Sequence, residues 1–252
     1  RKGIIGWGLL LAGLGFMVVS VFPSIEGMLE AFGPLLENPL IKALVGNIED
    51  FTTLEGFLGV KLLALMPLVL GVYAVLFALG IVGTEEEQGT LDILLSTPAP
   101  RWRILVEKFA ALVLAVLLIL GVFLSGLLAG GLTLLDFPLS FWKLAGAVLN
   151  VLPSTLLMAA LTLLLTTVLR GRNQAGAVAA GFIAASYFGL TLADTAGERF
   201  AAFKTLSFFN YYKGEGVLIH GISWGDFVLL LAGAAVLFGL SLALFQRRDL
   251  GT

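Results

Sequence analysis

The 252-residue chain has no cysteine, a single histidine and few charges, with Asp, Glu, Lys and Arg making up 13% of it. Without cysteine there is no disulfide framework, no thiolate nucleophile and no cysteine-held metal, although this absence leaves the compartment open. A soluble domain carries about 25% charged residues. This chain lacks the polar surface to cover a globule in water, so lipid must be the solvent for much of it. A formal net charge of −2 leaves no basic footprint for a nucleic-acid partner. No G-x-x-x-x-G-K-[ST] loop is present to cradle a phosphate. His220 lies in a polar segment flanked by Asp194 and Asp226. No H-E-x-x-H, G-x-S-x-G or carboxylate pair falls within an apolar run, which disfavours an intramembrane enzyme.

What the chain does have is long uncharged runs, at a mean hydropathy of +1.02. Six of them reach 20 residues or more: Gly3–Ile25, Leu62–Thr84, Phe109–Leu135, Leu144–Leu169, Asn173–Ala193 and Phe227–Gln246. About 20 helical residues cross a hydrocarbon core of about 30 Å. Backbone groups in lipid must bond within their own segment, so these runs must be helices; none shows the alternation of a β-barrel strand. The expected fold is an all-α polytopic membrane protein, a single transmembrane domain over 1–252, with spans at about 3–25, 62–84, 104–135, 144–169, 173–193 and 227–246. The first run lacks an A-x-A-like end and is long for a signal peptide, so it reads as an uncleaved span. The numbering opens on Arg1 rather than Met, and further residues are expected to precede it.

Six spans place both termini on one side, and Lys and Arg decide which. With the termini inside, segments 1–2, 84–108, 170–172 and 247–252 hold nine basic residues in 36 positions, against six in 77 for 26–61, 136–143 and 194–226. The bias puts both termini and the 84–108 loop in the cytoplasm. In the first outer segment, Pro23 opens a predicted amphipathic helix with Ile25, Met28, Leu29 and Phe32 on one stripe and Glu26 and Glu30 off it. Such a helix lies on the membrane surface or packs on neighbouring span ends. The aromatics of SFFNYYKGEGVLIHG (207–221) and Trp142 suit the interfacial belt. Pro67 should kink the second span, and Asn150, Pro153, Ser154 and Thr155 should bend or unwind the fourth. Gly126 and Gly130 form a GxxxG face in the third. No internal repeat supports an inverted-repeat carrier.

The loop Thr84–Lys108 holds five acids and three bases. Thr84 can N-cap a short helix, with Glu87 completing a capping box and Glu85, Glu86 and Glu87 in its first turn. Leu91, Leu94 and Leu95 form a ridge, and Pro98 and Pro100 end the helix before Arg101 and Arg103. The ridge either packs on its own bundle and the headgroups or docks in a partner's groove. Composition does not choose between these.

The string EEEQGTLDILLSTPAPRWRILVEK (85–108) resembles the cytoplasmic loop of type-2 ABC exporter permeases, roughly E-x-x-x-G-T-L-x-x-L-L-S-x-P-x-x-R followed by a hydrophobic pair and Lys. Glu85 or Glu86, Gly89, Thr90, Leu91, Leu94, Leu95, Ser96, Pro98, Arg101 and Lys108 match. The ending FQRRDL (245–250), the 207–221 stretch, the order of six spans and the long first outer segment are also similar to the family, so the resemblance covers the whole chain. Where the family is basic or variable between acid and glycine, this chain reads Glu-Glu-Gln, which changes the local docking charge. The resemblance implies a prokaryotic inner-membrane permease with no ATPase of its own and no cofactor bound directly. Two separate ABC ATP-binding subunits would carry ATP and Mg, and a second permease copy, identical or not, would complete the transporter. Helix 85–96 would be the coupling helix, with Glu85, Glu86, Glu87, Gly89, Thr90, Leu91, Leu94, Leu95, Ser96, Pro98 and Arg101 forming the docking surface.

No charged residue interrupts the six runs, which disfavours a proton relay and favours an apolar, amphipathic or lipid-linked substrate. Asn150, Ser154, Thr155, Ser186 and Tyr187 are the candidate polar lining of a path. A membrane anchor that recruits a cytoplasmic partner without transport fits the docking helix equally well. The orientation is testable: in a Gly89→Cys variant the thiol is expected to react with a membrane-impermeant maleimide only from the cytoplasmic side. Labelling from outside would overturn the orientation.

Overall fold

The computed structural model describes residues 2–36, 53–87, 101–134, 137–169, 171–196 and 201–247. These residues are helical almost throughout, with no strand among them. The helices are α1 (Lys2–Leu36), α2 (Leu54–Lys61), α3 (Met66–Glu87), α4 (Arg101–Gly131), α5 (Phe141–Leu149), α6 (Leu152–Val168), α7 (Arg172–Ala196), α8 (Ala201–Leu206), α9 (Val217–His220) and α10 (Trp224–Arg247). Among the described residues, six stretches are long and apolar enough to span a membrane: Gly3–Gly27, Leu54–Ile81, Trp102–Gly131, Phe141–Val168, Arg172–Ala193 and Trp224–Gln246. All six charge-free runs therefore become candidate spans.

Two of those stretches are each built from two helices. The second begins with α2, whose N-cap Thr53 accepts the Gly56 N–H at 3.2 Å. Its first turn carries Glu55 and its last turn Lys61, the charge order that the helix dipole favours. A 3-10 turn over Leu63–Leu65 follows, and α3 starts at Met66. Pro67 thus sits in the first turn of α3, where its missing N–H has no intrahelical partner to lose. The expected kink takes the form of a break just before the proline. In the fourth, α5 and α6 are separated at Asn150 and Val151, with Pro153 in the first turn of α6, as the sequence predicts.

Three local expectations fail. Pro23 opens no new helix, because α1 runs unbroken through it to Leu36. Ending the helix there would free four carbonyls at the span end, whereas continuing sacrifices one bond. Thr84 caps no helix either: α3 stays helical through Thr84, Glu85, Glu86 and Glu87. A cap needs extended backbone at Thr84, and propagating an existing helix is easier than nucleating a second one. The three acids therefore close α3 rather than open a helix. Finally, Phe208, Phe209 and Tyr212 are buried rather than placed at a lipid interface. Phe208 stacks on Phe209 with ring centroids 4.3 Å apart, and burial pushes the Tyr212 phenol up. Trp142 is 81% exposed, as a belt residue should be.

The chain divides into two compact units, with boundaries at Met66/Pro67 and Val151/Leu152 that fall on the two helix breaks. The first unit gathers α1, α2, the C-terminal half of α4, α5 and α9. Here the GxxxG face of α4 meets α1. A Cβ on Gly126 would overlap the Ala12 carbonyl, and one on Gly130 would stand 2.8 Å from Val19 Cβ and 3.0 Å from the Phe16 oxygen. The backbones approach this closely only because both positions lack a side chain. Thr133 donates to Ser20 Oγ at 3.2 Å, and Phe123 and Leu127 pack over Gly15. The short helix α2 is buried against α1 and α9; the Phe22 and Phe57 rings lie 5.5 Å apart. A Cβ on Gly59 would collide with the Glu215 carbonyl, so α2 and the turn before α9 also meet backbone to backbone. Lys143, at the start of α5, pairs with Glu55 at 3.5 Å.

The second unit gathers α3, the N-terminal half of α4, α6, α7, α8 and α10. Within it, α6 is the buried centre, packed on α10 and α7. Its hydroxyls turn back on the helix: Thr162 donates to the Met158 carbonyl at 2.8 Å, Thr166 to Leu163 at 2.7 Å and Thr167 to Leu164 at 2.7 Å. Gly126→Leu should lower the thermal unfolding midpoint of the purified protein, by an overpacking cost of about 1–3 kcal/mol. Gly121→Ala, where a Cβ meets nothing within 4 Å, should leave the midpoint unchanged or slightly raised.

Candidate functional site: the helix ends that flank the 88–100 loop

The loop expected to dock is carried between the end of α3 and the start of α4. Glu85, Glu86 and Glu87 form the last turn of α3, and Arg101 is the first residue of α4. Gly89, Thr90, Leu91, Leu94, Leu95, Ser96 and Pro98 lie outside the described residues. What the structure gives is the frame that holds them.

That frame is tied in three ways. Lys108 Nζ donates to the Ile81 carbonyl at 3.0 Å, bridging α4 to α3 across 27 positions of sequence. Beside this bond, Ile81 and Leu105 are buried with Leu163 of α6 and Phe245 of α10, and Phe77, Phe109, Phe238 and Leu242 pack around them. Phe109 and Phe238 stack at 4.2 Å. The α4 segment next to the loop is thus wedged against α3, α6 and α10 through one apolar cluster. At the surface, Arg103 and Glu107 pair at 2.8 Å. Both side chains are exposed and one turn apart, so the pair adds only a few tenths of a kcal/mol, about 0.3–0.5. Trp102, half exposed, marks the interfacial end of the span.

The five candidate path residues fall in different settings. Asn150 belongs to the first unit and is buried at the α5–α6 break. Ser154 and Thr155 are fully buried in α6. Ser186 donates to Ser207 Oγ at 3.1 Å, and Ser207 donates back to the Ser186 carbonyl at 2.8 Å. Tyr187 lies edge-on to Phe209, with centroids 5.5 Å apart. Ser186 and Tyr187 therefore hold the 3-10 turn Phe208–Tyr211 onto α7. The Lys108–Ile81 tie is absent from the expected docking surface, although Lys108 closes the loop motif that carried the resemblance. The missed signal was a lysine seven residues inside a helix that opens at Arg101. Ser241 of α10 is fully buried, and its hydroxyl has no partner among the described residues. His220 is exposed at the end of α9.

This geometry defines a polytopic helical membrane protein in which the two helices flanking the 88–100 segment are locked into one bundle. The chain belongs to the ABC-2 family of transporter proteins, whose family model matches residues 15–250. It is accordingly a multi-pass transmembrane subunit of an ABC transporter, of the type-2 permease kind. It is the transport component rather than the ATPase, and associates with an ABC ATP-binding subunit. A comparison with curated proteins finds no match to the chain.

The cluster beside Lys108 should be the mechanical anchor of the frame. Leu105→Ala should destabilise the purified protein by about 2–5 kcal/mol, read as a lower thermal midpoint. Trp102→Ala, at a half-exposed position next to it, should stay within about 0.5 kcal/mol.

Proposed function

We propose that the chain is the permease subunit of an ATP-driven exporter and that the 85–101 segment couples it to an ATP-binding subunit. The observation that carries this is the frame: α3 and α4, which hold the segment, are joined by the Lys108–Ile81 bond and by a shared apolar cluster with α6 and α10. A push or pull on the segment is passed to four helices of one compact unit instead of being lost in a slack linker. Leu91, Leu94 and Leu95 supply the ridge that enters a cleft on the partner, with Gly89, Thr90, Ser96 and Pro98 shaping it and Glu85, Glu86, Glu87 and Arg101 at its edges.

In this reading two ATP-binding subunits, each carrying ATP and Mg, close and reopen below a pair of permease chains. The permease alternates between inward- and outward-facing states, biased by contacts that differ between them. The loop and both termini lie in the cytoplasm of a prokaryotic cell, as the Lys and Arg bias supports. The absence of charge from the six apolar runs favours an apolar, amphipathic or lipid-linked substrate, moved outward. The permease binds no cofactor itself.

Leu94→Asp and Leu95→Asp place a charge on the ridge without touching the spans. Each should abolish co-purification of the ATP-binding subunit by affinity capture while leaving the permease inserted in the membrane. A complex that survives both substitutions refutes the docking surface.

A further inference from the structure

The segment that follows α7 turns back along it. The Phe203 ring lies over Gly189, where an added Cβ would stand 3.3 Å from it. Ser207 donates to the Ser186 carbonyl at 2.8 Å, and the Phe208 ring stacks nearly parallel to Phe182 with centroids 6.4 Å apart. Partners that rise in number on one strand of chain and fall on the other mean that residues 203–208 run antiparallel to α7. At a rise of about 1.5 Å per residue, Gly189, Ser186 and Phe182 stand about 6, 10 and 16 Å from Ala193, where the candidate span ends. The segment therefore re-enters the depth of the span. There α8 gives way to the 3-10 turn Phe208–Tyr211, which packs on α7 and α10.

Backbone that leaves the α-helix at membrane depth is tolerated only where protein buries it or water reaches it. One side of this segment is closed: Ser207, Phe208, Phe209 and Tyr212 are buried. The other side is polar and open, with Lys204 and Thr205 exposed and Asn210 and Tyr211 half-buried. The Tyr211 hydroxyl donates to the Thr205 carbonyl at 3.0 Å, which ties the turn to α8 along that open side. A lysine facing lipid reaches back to the headgroups along its own stem. The short Asn210 amide does not, and acyl chains meet none of its donors or acceptor sites. The Asn210 N–H bonds to the Ser207 carbonyl at 3.2 Å, so the residue stays within one turn of that buried anchor. We propose that the open side of 204–211 lines a water-filled vestibule that enters the membrane from the outer face, with Lys204, Asn210 and Tyr211 as its polar wall. Ser186 and Tyr187 hold that wall in place. The assignment concerns this segment alone and does not depend on what the 88–100 loop binds.

The chain has no cysteine, so each substitution supplies a single thiol. Full-length Lys204→Cys, Asn210→Cys and Phe188→Cys variants in whole cells are treated from outside with sulfonatoethyl methanethiosulfonate, a membrane-impermeant anion that reacts with thiolates. Phe188 is the control: it lies at a similar depth on α7, about 8 Å from Ala193, and is 63% exposed on an apolar side chain. Apolar surroundings raise a thiol's pKa, and each unit lowers its thiolate fraction about tenfold. Lys204→Cys and Asn210→Cys should therefore react at least about tenfold faster than Phe188→Cys, read from the mass of the purified chain. A rate at either position within about tenfold of the Phe188→Cys rate would overturn the vestibule and place lipid or a second copy over that side. Loss of ATP-binding-subunit capture in the ridge variants would not bear on these rates, so the two proposals fail separately.

Discussion

Hydrocarbon offers a peptide group nothing to bond with, and the rest of this structure depends on that constraint. It forces every span into a helix and makes any interruption costly. The chain interrupts its spans twice and repairs each break locally. Between α2 and α3, the Thr53 cap, a 3-10 turn and a proline in the first turn of α3 leave few orphaned groups. Between α5 and α6, Ser140 caps the first helix, accepting the Lys143 N–H at 3.4 Å, and Asn150 N–H bonds back to Gly146 O at 2.9 Å. The same economy explains the threonines of α6, whose hydroxyls bond to their own helix instead of demanding partners in the core.

Between helices the driving force also changes, since lipid tails are as apolar as leucine. Close packing replaces hydrophobic exclusion. Glycines at Gly126 and Gly130 bring α4 onto α1, and Gly59 brings α2 onto the turn before α9. In the second unit bulky residues do the packing: Leu105, Leu163, Phe245 and the stacked pair Phe109–Phe238. That cluster surrounds the roots of the 88–100 loop, and the Lys108–Ile81 bond closes it. In the proposed mechanism this is what lets a docking event at the loop act on several spans together.

Much of this was legible in the sequence, and the reasons differ by feature. Spans are legible because charge is excluded from hydrocarbon, so the six uncharged runs mark the six candidate spans. The α5–α6 break and the glycine contact were legible because Asn150, Pro153, Gly126 and Gly130 act through backbone chemistry that needs no partner to be known. Pro23 and Thr84 misled for a common reason. Each is a local signal for a boundary, and each was outweighed by an established helix that continues more easily than it stops. The aromatics of 207–212 were misread because an amphipathic ring suits an interface and a core equally well, and only the fold decides. The Lys108–Ile81 tie could not be read from spacing, since the two residues are 27 positions apart on different helices. The leucine ridge of the loop was readable as a shape, and membership of the ABC-2 family supplies the partner class.

The central claim is that Leu91, Leu94 and Leu95 face an ATP-binding subunit and not their own bundle. A photoreactive residue incorporated at Leu91 in native membranes tests this most directly, because it reports whatever the ridge touches. The account predicts an adduct with an ATP-binding subunit whose yield changes when ATP is trapped. Adducts confined to lipid or to the chain itself, with no response to nucleotide, would contradict it.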